Sequence, residues 1–222
     1  MSMPRAIVFD WDNTLVDSWV CIQESYNMTF RHFGMPEWDM IQTQANVAAS
    51  MRDSFPQMFG DRWPEARDVF TQSFEAIHLS HLRPLPGAVE MLHDLRERGV
   101  YLGVVSNKRG SFLRKEAEVL GWTGLFGALV GANDAEADKP SPAPVRMALN
   151  GSGVELGSCV WFVGDSHIDL HCAVNSGCVP VLLRPEPPRP GEFEAHPPVY
   201  HLENCASMVT LVRELEVPIT TI

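Results

Sequence analysis

The sequence predicts an α/β fold: a doubly wound parallel sheet with a small all-helical unit inserted after its first strand. Three observations predict it. Short apolar runs rich in Val, Ile, Leu and aromatic residues recur along the chain, stretches with helical spacing separate them, and one long helix-like region interrupts the alternation early. Strands alternating with helices build βαβ units and so a parallel sheet. The 222 residues, 45% hydrophobic and 20% charged, suffice for one good-sized core and a small second domain.

The first predicted strand, Arg5–Phe9, is a continuous apolar run after its arginine, as a strand buried on both faces should be. From about Ser18 to His81 the pattern is helical, in "CIQESYNMTFRHFG", "IQTQANVAASMRDSFPQMFG" and "WPEARDVFTQSFEAIHLSHL", joined by Gly and Pro turns. Residues 18–82 are therefore expected to form the insertion, and 1–17 with 83–222 the main domain. Phe55, Phe59, Trp63 and Phe70 read as the insertion's core rather than a stacking platform for a base, and His78 and His81 as surface residues.

In "PGAVEMLHDLRERGV", Val89, Leu92 and Leu95 mark one helix face and Gly99 the stop. A strand follows at Tyr101–Val105, then the helix "SFLRKEAEVLGW" with Leu113, Ala117 and Leu120 on one side and Gly121 at its end. A weaker strand is Ala128–Val130; "DKPSPAPV" then places Ser141 as N-cap and Pro142 at the first helical position. Cys159–Val163 and Val179–Leu183 complete the strands, and the Pro-rich "RPEPPRPGEFEAHPP" reads as a surface loop.

A formal charge of -11 argues against nucleic-acid and anionic-membrane partners, which are held mainly by Lys and Arg. Five scattered cysteines with no Cys-x-x-Cys pair signal neither a disulfide framework nor a zinc ribbon. The opening "MSMPRAIVFDWD" falls short of a signal-peptide core, and no run approaches the roughly 20 apolar residues that cross a bilayer. A cytoplasmic protein is expected, as monomer or homodimer.

Ligands of doubly wound sheets bind beyond the carboxyl ends of the strands. There the first strand ends in Asp10 and Asp12, the second in Ser106 and Asn107, and "CVWFVGDS" in Asp165, with Asp169 four residues on and Lys139 ahead of a helix start. Carboxylates so crowded repel one another unless a cation joins them, and an oxygen-rich cluster suits Mg2+. One carboxylate could attack phosphorus while a second protonates the leaving group and then activates water. The metal, Ser106 and Lys139 would neutralise the transferring phosphoryl group. Each aspartate taken alone could equally cap a helix or close a turn.

Taken in order, "DWDNTLVDS", "SNK", "DKPSP" and "GDSHIDLHCAVNSG" resemble the four motifs of the haloacid dehalogenase-like superfamily across the whole main domain. The resemblance implies a Rossmann-like core, Asp10 as nucleophile, Asp12 as general acid and base, Ser106 on the phosphoryl oxygens and Lys139 stabilising charge. It further implies Mg2+ on Asp10, the backbone carbonyl of Asp12, and Asp165, with Asp169 acting indirectly or orienting Lys139. The insertion looks like the cap of the phosphoglycolate-phosphatase and phosphoglucomutase branch. True dehalogenases lack the second aspartate of the first motif, so Asp12 argues against dehalogenation. The family's usual glycine after it is Asn13 here, a residue that tolerates left-handed backbone.

The function expected is a Mg2+-dependent phosphatase acting through an aspartyl-phosphate on a small phosphorylated metabolite, phosphoglycolate-like or a sugar phosphate. The alternatives are a phosphomutase of the β-phosphoglucomutase type, and a non-catalytic binding module, which should have lost at least one of Asp10, Asp12, Lys139 or Asp165. Asn107 is a candidate substrate contact or a turn residue. Arg52 is a candidate hold on a distal carboxylate or hydroxyl, or an exposed helix arginine, and Lys108 stands between the same two readings. His167 and His171 share an i, i+4 spacing, but the nearby aspartates account for the site without zinc.

Overall fold

The computed structural model describes residues 3–47 and 49–216; the first two residues of the opening segment, and the last six of the predicted main domain, lie outside them. The chain begins with β1 (Ala6–Phe9) and β2 (Val16–Asp17). Four helices follow, α1 (Trp19–Phe33), α2 (Met40–Asn46), α3 (Met51–Phe59) and α4 (Trp63–His81), and the chain returns through β3 (Arg83–Pro84). Then come α5 (Ala88–Glu97), β4 (Tyr101–Arg109), α6 (Gly110–Val119), β5 (Ala128–Ala132), α7 (Ala143–Leu149), β6 (Val160–Gly164), α8 (His167–Asn175), β7 (Val179–Leu183), β8 (Tyr200–Leu202) and α9 (Cys205–Glu216).

Six of these strands form one sheet in the order β5-β4-β1-β6-β7-β8, every neighbouring pair parallel. The chain winds outward from β1 through β4 to β5 and then crosses back to β6 on the other side of β1. That reversal opens a crevice at the carboxyl ends of β4, β1 and β6, where such sheets bind ligands. The register is what aligns the chemistry: Phe9 lies level with Val104 and with Val163, so Asp10, Ser106 and Asp165 emerge at the same edge.

Alternation along β1 divides the core into two layers. Ile7 and Phe9 face α5, α6 and α9 through Leu92, Leu95, Leu113 and Met208, whereas Ala6 and Val8 face α7 and α8 through Val145, Ala148, Cys172 and Ala173. The fold is a Rossmann-like core with a helical cap. The cap has an aromatic centre of its own, in which Tyr26, Phe30, Phe55, Phe70 and Phe74 meet Phe112 from α6, while Phe59 and Trp63 pack on its edge. The two chain crossings between sheet and cap lie side by side, because β2 and β3 pair antiparallel through Val16–Pro84 and Asp17–Arg83.

The sequence-based assignments need several corrections. β4 runs to Arg109, past the predicted Val105, so Ser106 and Asn107 lie within a strand whose pairing with β5 is interrupted between Val105 and Arg109. The second cap stretch is two helices, α2 ending at Asn46 and α3 beginning at Met51. α7 begins at Ala143 rather than Pro142, because the Ser141 hydroxyl oxygen accepts the Ala143 N–H at 3.2 Å in a local turn. The β2–β3 pair and β8 are two or three residues long, too short for a pattern to mark them; α9 adds a helix to the predicted order, and its Met208, Leu211, Val212 and Leu215 recur at helical spacing on the face that joins the core. Residues 184–199 contain no helix or strand, as the proline-rich composition leads one to expect.

Candidate active site

Asp10 follows β1 directly, and its N–H donates to the Val163 carbonyl at 2.8 Å, which pins the strand end between its neighbours. The chain then turns through Asn13, whose φ of 60° is left-handed. The asparagine that replaces glycine here also accepts the Ser18 N–H on its side-chain oxygen at 3.1 Å, which fixes the turn that presents Asp12. Asp12 Oδ1 accepts from the Ser18 hydroxyl and, at 2.7 Å, from Lys108 Nζ.

Lys139 is the electrostatic centre. Its ammonium donates to Asp10 Oδ1 and Asp169 Oδ1, each at 2.7 Å, and the side chain is 2% exposed. Asn107 grips its backbone on both sides: the Lys139 N–H donates to Asn107 Oδ1 at 3.0 Å, and Asn107 Nδ2 donates to the Lys139 carbonyl at 3.3 Å. Asp169 spends its second oxygen on the Ser166 N–H and hydroxyl at 3.1 and 2.7 Å, the capping box that starts α8. Both its oxygens are thus occupied by protein donors.

Gly164 ends β6 against this arrangement, and a Cβ there would run into the Asp169 side chain. Gly164→Ala is therefore expected to push Asp169 off Lys139, lowering stability by about 1–3 kcal/mol as other overpacked sites do and reducing any activity of the site; thermal melting and turnover of the variant check both.

Asp165, half-buried, faces Asp10, and Ser106 is buried with its oxygen accepting the Lys108 N–H at 3.2 Å, leaving the hydroxyl hydrogen free to donate. The carboxylates of Asp10, Asp165 and Asp169 lie within 4.8 Å of one another, the one such cluster of metal-ligating side chains among the described residues. Burial, followed by the charges of Asp169 and Asp12, pushes Asp10 up to about 7 against the pull of Lys139. Burial and the Asp169 and Asp10 charges hold Asp165 well above the usual carboxylate range. Burial pulls Lys139 down, but Asp10 and Asp169 outweigh it and hold its ammonium above the ordinary lysine value. In so dry a site, one lysine facing three crowded carboxylates is not enough to let all of them ionise, which is why Asp10 and Asp165 hold their protons so far up the scale. A divalent cation on oxygen donors lets them do so, and the donor set fits Mg2+.

These residues floor a cavity of about 830 Å³. Its cap wall is mostly apolar, with Tyr26, Met51, Phe70 and Phe74, and Phe112 closes it from α6. Asp10, Asp12, Ser106, Asn107, Lys139 and Asp165 all border it. Arg52 does not: it makes a paired contact to Asp138, Nη2–Oδ1 at 2.6 Å and Nε–Oδ2 at 3.1 Å, which ties the cap to the loop that carries Lys139.

Two histidine and lysine readings change. His78 is buried at 4% exposure, not on the surface, because it follows Phe70 and Phe74 at intervals of four on the inner face of α4. Lys108 is buried between Asp12 and Glu116. Glu116, its partner, lies beside Leu113 and Ala117 on the apolar face of α6, a position that marks a buried charge in the sequence. His171 stacks on His196 with ring centroids 4.1 Å apart.

A family model described as haloacid dehalogenase-like hydrolase matches residues 7–182. A phosphoglycolate phosphatase of Rhodospirillum rubrum is 32% identical over 193 residues, 82% of this chain and 79% of that one. The pyrophosphatase PpaX of Halalkalibacterium halodurans is 26% identical over 173 residues, 78% of this chain and 80% of its own. Among solved structures, a HAD-superfamily hydrolase from Ehrlichia chaffeensis is 27% identical with a TM-score of 0.66, covering 97% and 98% of the two chains. CbbY from Rhodobacter sphaeroides, solved in complex with phosphate, shares the fold with a TM-score of 0.77 at 20% identity over 92% and 96%.

Proposed function

The chain belongs to the haloacid dehalogenase-like hydrolase family, and from that premise we propose that this phosphatase hydrolyses a small phosphate monoester, of the phosphoglycolate or sugar-phosphate kind, through a phosphorylated Asp10. The observation that carries the reading is the placement of Lys139 between Asp10 and Asp169, beside Asp165 and at the floor of the cavity. Residues 18–82 serve as the cap that closes over the ester, and a place in the cytoplasm accords with five free cysteines.

Lys139 occupies Asp10 Oδ1 and leaves Oδ2 to attack phosphorus. The P–O bond to the leaving group breaks as the Asp10–phosphorus bond forms, and the departing oxygen takes its proton from the Asp12 carboxyl. Ser106 donates its hydroxyl hydrogen to a phosphoryl oxygen, and Lys139 offsets the charge that collects there. Asp12, now a carboxylate, removes a proton from water as the water attacks phosphorus and frees Asp10. Closure of the apolar cap wall keeps bulk water out of the first step. Asp10, the backbone carbonyl of Asp12, and Asp165 would hold Mg2+, which when bound neutralises phosphoryl charge.

Phosphate release from a panel of small esters, phosphoglycolate included, tests the reading: release with Mg2+ and none with EDTA is expected. Isomerisation of a sugar phosphate without release would replace hydrolysis by mutase chemistry. The site also sets a pH dependence. Asp10, near 7 in the metal-free protein, must lose its proton to bind a cation. Lowering the pH from about 8 to about 6 should therefore weaken Mg2+ binding by about tenfold or more, read by calorimetric titration; an affinity flat over that range would contradict it.

A further inference from the structure

The polar groups behind Asp12 form a chain that leaves the cavity and ends in the cap. Lys108 Nζ, 2.7 Å from Asp12 Oδ1, lies 2.6 Å from Glu116 Oε2, which also accepts Trp11 Nε1–H at 2.7 Å. Glu116 Oε1 pairs with His78 Nδ1 at 2.8 Å. Burial alone would raise the Glu116 carboxyl, but donors from His78, Lys108 and Trp11 prevail and hold it below the ordinary value, so it is ionised and Nδ1 carries the hydrogen. The side chains of His78, Lys108 and Glu116 are at most 4% exposed, so each depends on its protein partners in the docked cap.

His78 belongs to α4 of the cap and Glu116 to α6 of the core. The His78 ring lies 5.2 Å from Phe74 and 5.0 Å from Phe112, and Lys108 Nζ sits 5.0 Å over the Phe74 ring. α4 joins the core through β3, whose partner β2 begins at Val16, the residue that bridges to Asp12. A swing of the cap about this pair that lifts α4 from α6 must break the His78–Glu116 bond.

We propose that His78, Glu116 and Lys108 are positioning residues that transmit the seating of α4 on α6 to Asp12, holding its carboxyl for proton transfer only when the cap is docked. The proposal rests on Asp12 being the acid and base of the reaction proposed above. Apolar side chains of like volume would join α4 to α6 at least as firmly, so stability alone does not account for an ionised chain that ends on this carboxylate. When His78 withdraws, Glu116 keeps only Lys108 and Trp11 as donors and draws Lys108 away from Asp12.

The test compares kcat/KM, with Mg2+, across phosphate esters running from dinitrophenyl phosphate to simple alkyl phosphates, in wild type, His78→Phe and His78→Asn. Phe keeps the ring packing and loses the N–H; Asn restores a donor at similar reach. His78→Phe is expected to lose about tenfold on alkyl esters, part of the roughly 10²–10⁴ a positioned acid contributes, and to stay within about twofold on dinitrophenyl phosphate, whose leaving group needs no proton. His78→Asn should recover most of the loss. An equal loss along the series, or none, overturns the proposal. Should His78→Phe not fold, Glu116→Gln carries the same comparison, with a steeper leaving-group dependence expected and a uniform loss decisive against it. Wild type inert on every ester would instead remove the phosphatase reading itself, and the proposal with it.

Discussion

Asp10→Asn is expected to abolish phosphate release, by about four orders of magnitude or more, as loss of a covalent nucleophile does elsewhere. The amide keeps the shape of the carboxylate and an oxygen for Lys139, but it cannot attack phosphorus. Because burial and neighbouring charges already push Asp10 up to about 7, removing its charge relieves repulsion rather than breaking the core. The variant should therefore melt no lower than wild type in metal-free buffer. Turnover measured beside a thermal melt checks both halves, and retained turnover in a folded variant would exclude Asp10 as the nucleophile.

The second large effect is on stability. Lys139→Met removes the ammonium that Asp10 and Asp169 share and leaves both carboxylates buried without it. Breaking a buried pair by deleting one partner costs about 3–5 kcal/mol, which for a chain of this size lowers the melting temperature by about 6–20 °C. Activity is lost with it. Adding Asp169→Asn should return part of the stability, because one of the two stranded charges is gone, but none of the turnover. A Lys139→Met protein that melts like wild type would mean that the ion triad does not hold the site together.

The sheet and the floor of the site were legible in the sequence for a common reason. Strands buried on both faces leave apolar runs, and a parallel sheet delivers whatever follows those runs to one edge, so Asp10, Ser106 and Asp165 could be placed together before their register was known. Lys139 was legible only through its neighbours "DKPSP"; nothing in a single lysine announces that it will be 2% exposed. Arg52 shows the opposite limit. Its charge suggested a hand on the substrate, yet its partner Asp138 lies 86 residues away and only tertiary packing brings them together. The chain from His78 to Asp12 was hidden similarly, since it joins two helices and a strand end. Its traces were a histidine in step with Phe70 and Phe74, and a glutamate in step with Leu113 and Ala117.

The central claim is that Asp10 becomes phosphorylated, and trapping that bond tests it most directly. Enzyme mixed with Mg2+ and dinitrophenyl phosphate, quenched in acid and reduced with borohydride, should yield homoserine at position 10 on peptide mass analysis, because borohydride reduces an acyl phosphate and leaves a free carboxylate untouched. Asp12→Asn, slow to activate water, should raise the yield. Homoserine at another aspartate, or none at all from an enzyme that is turning over, would contradict the account.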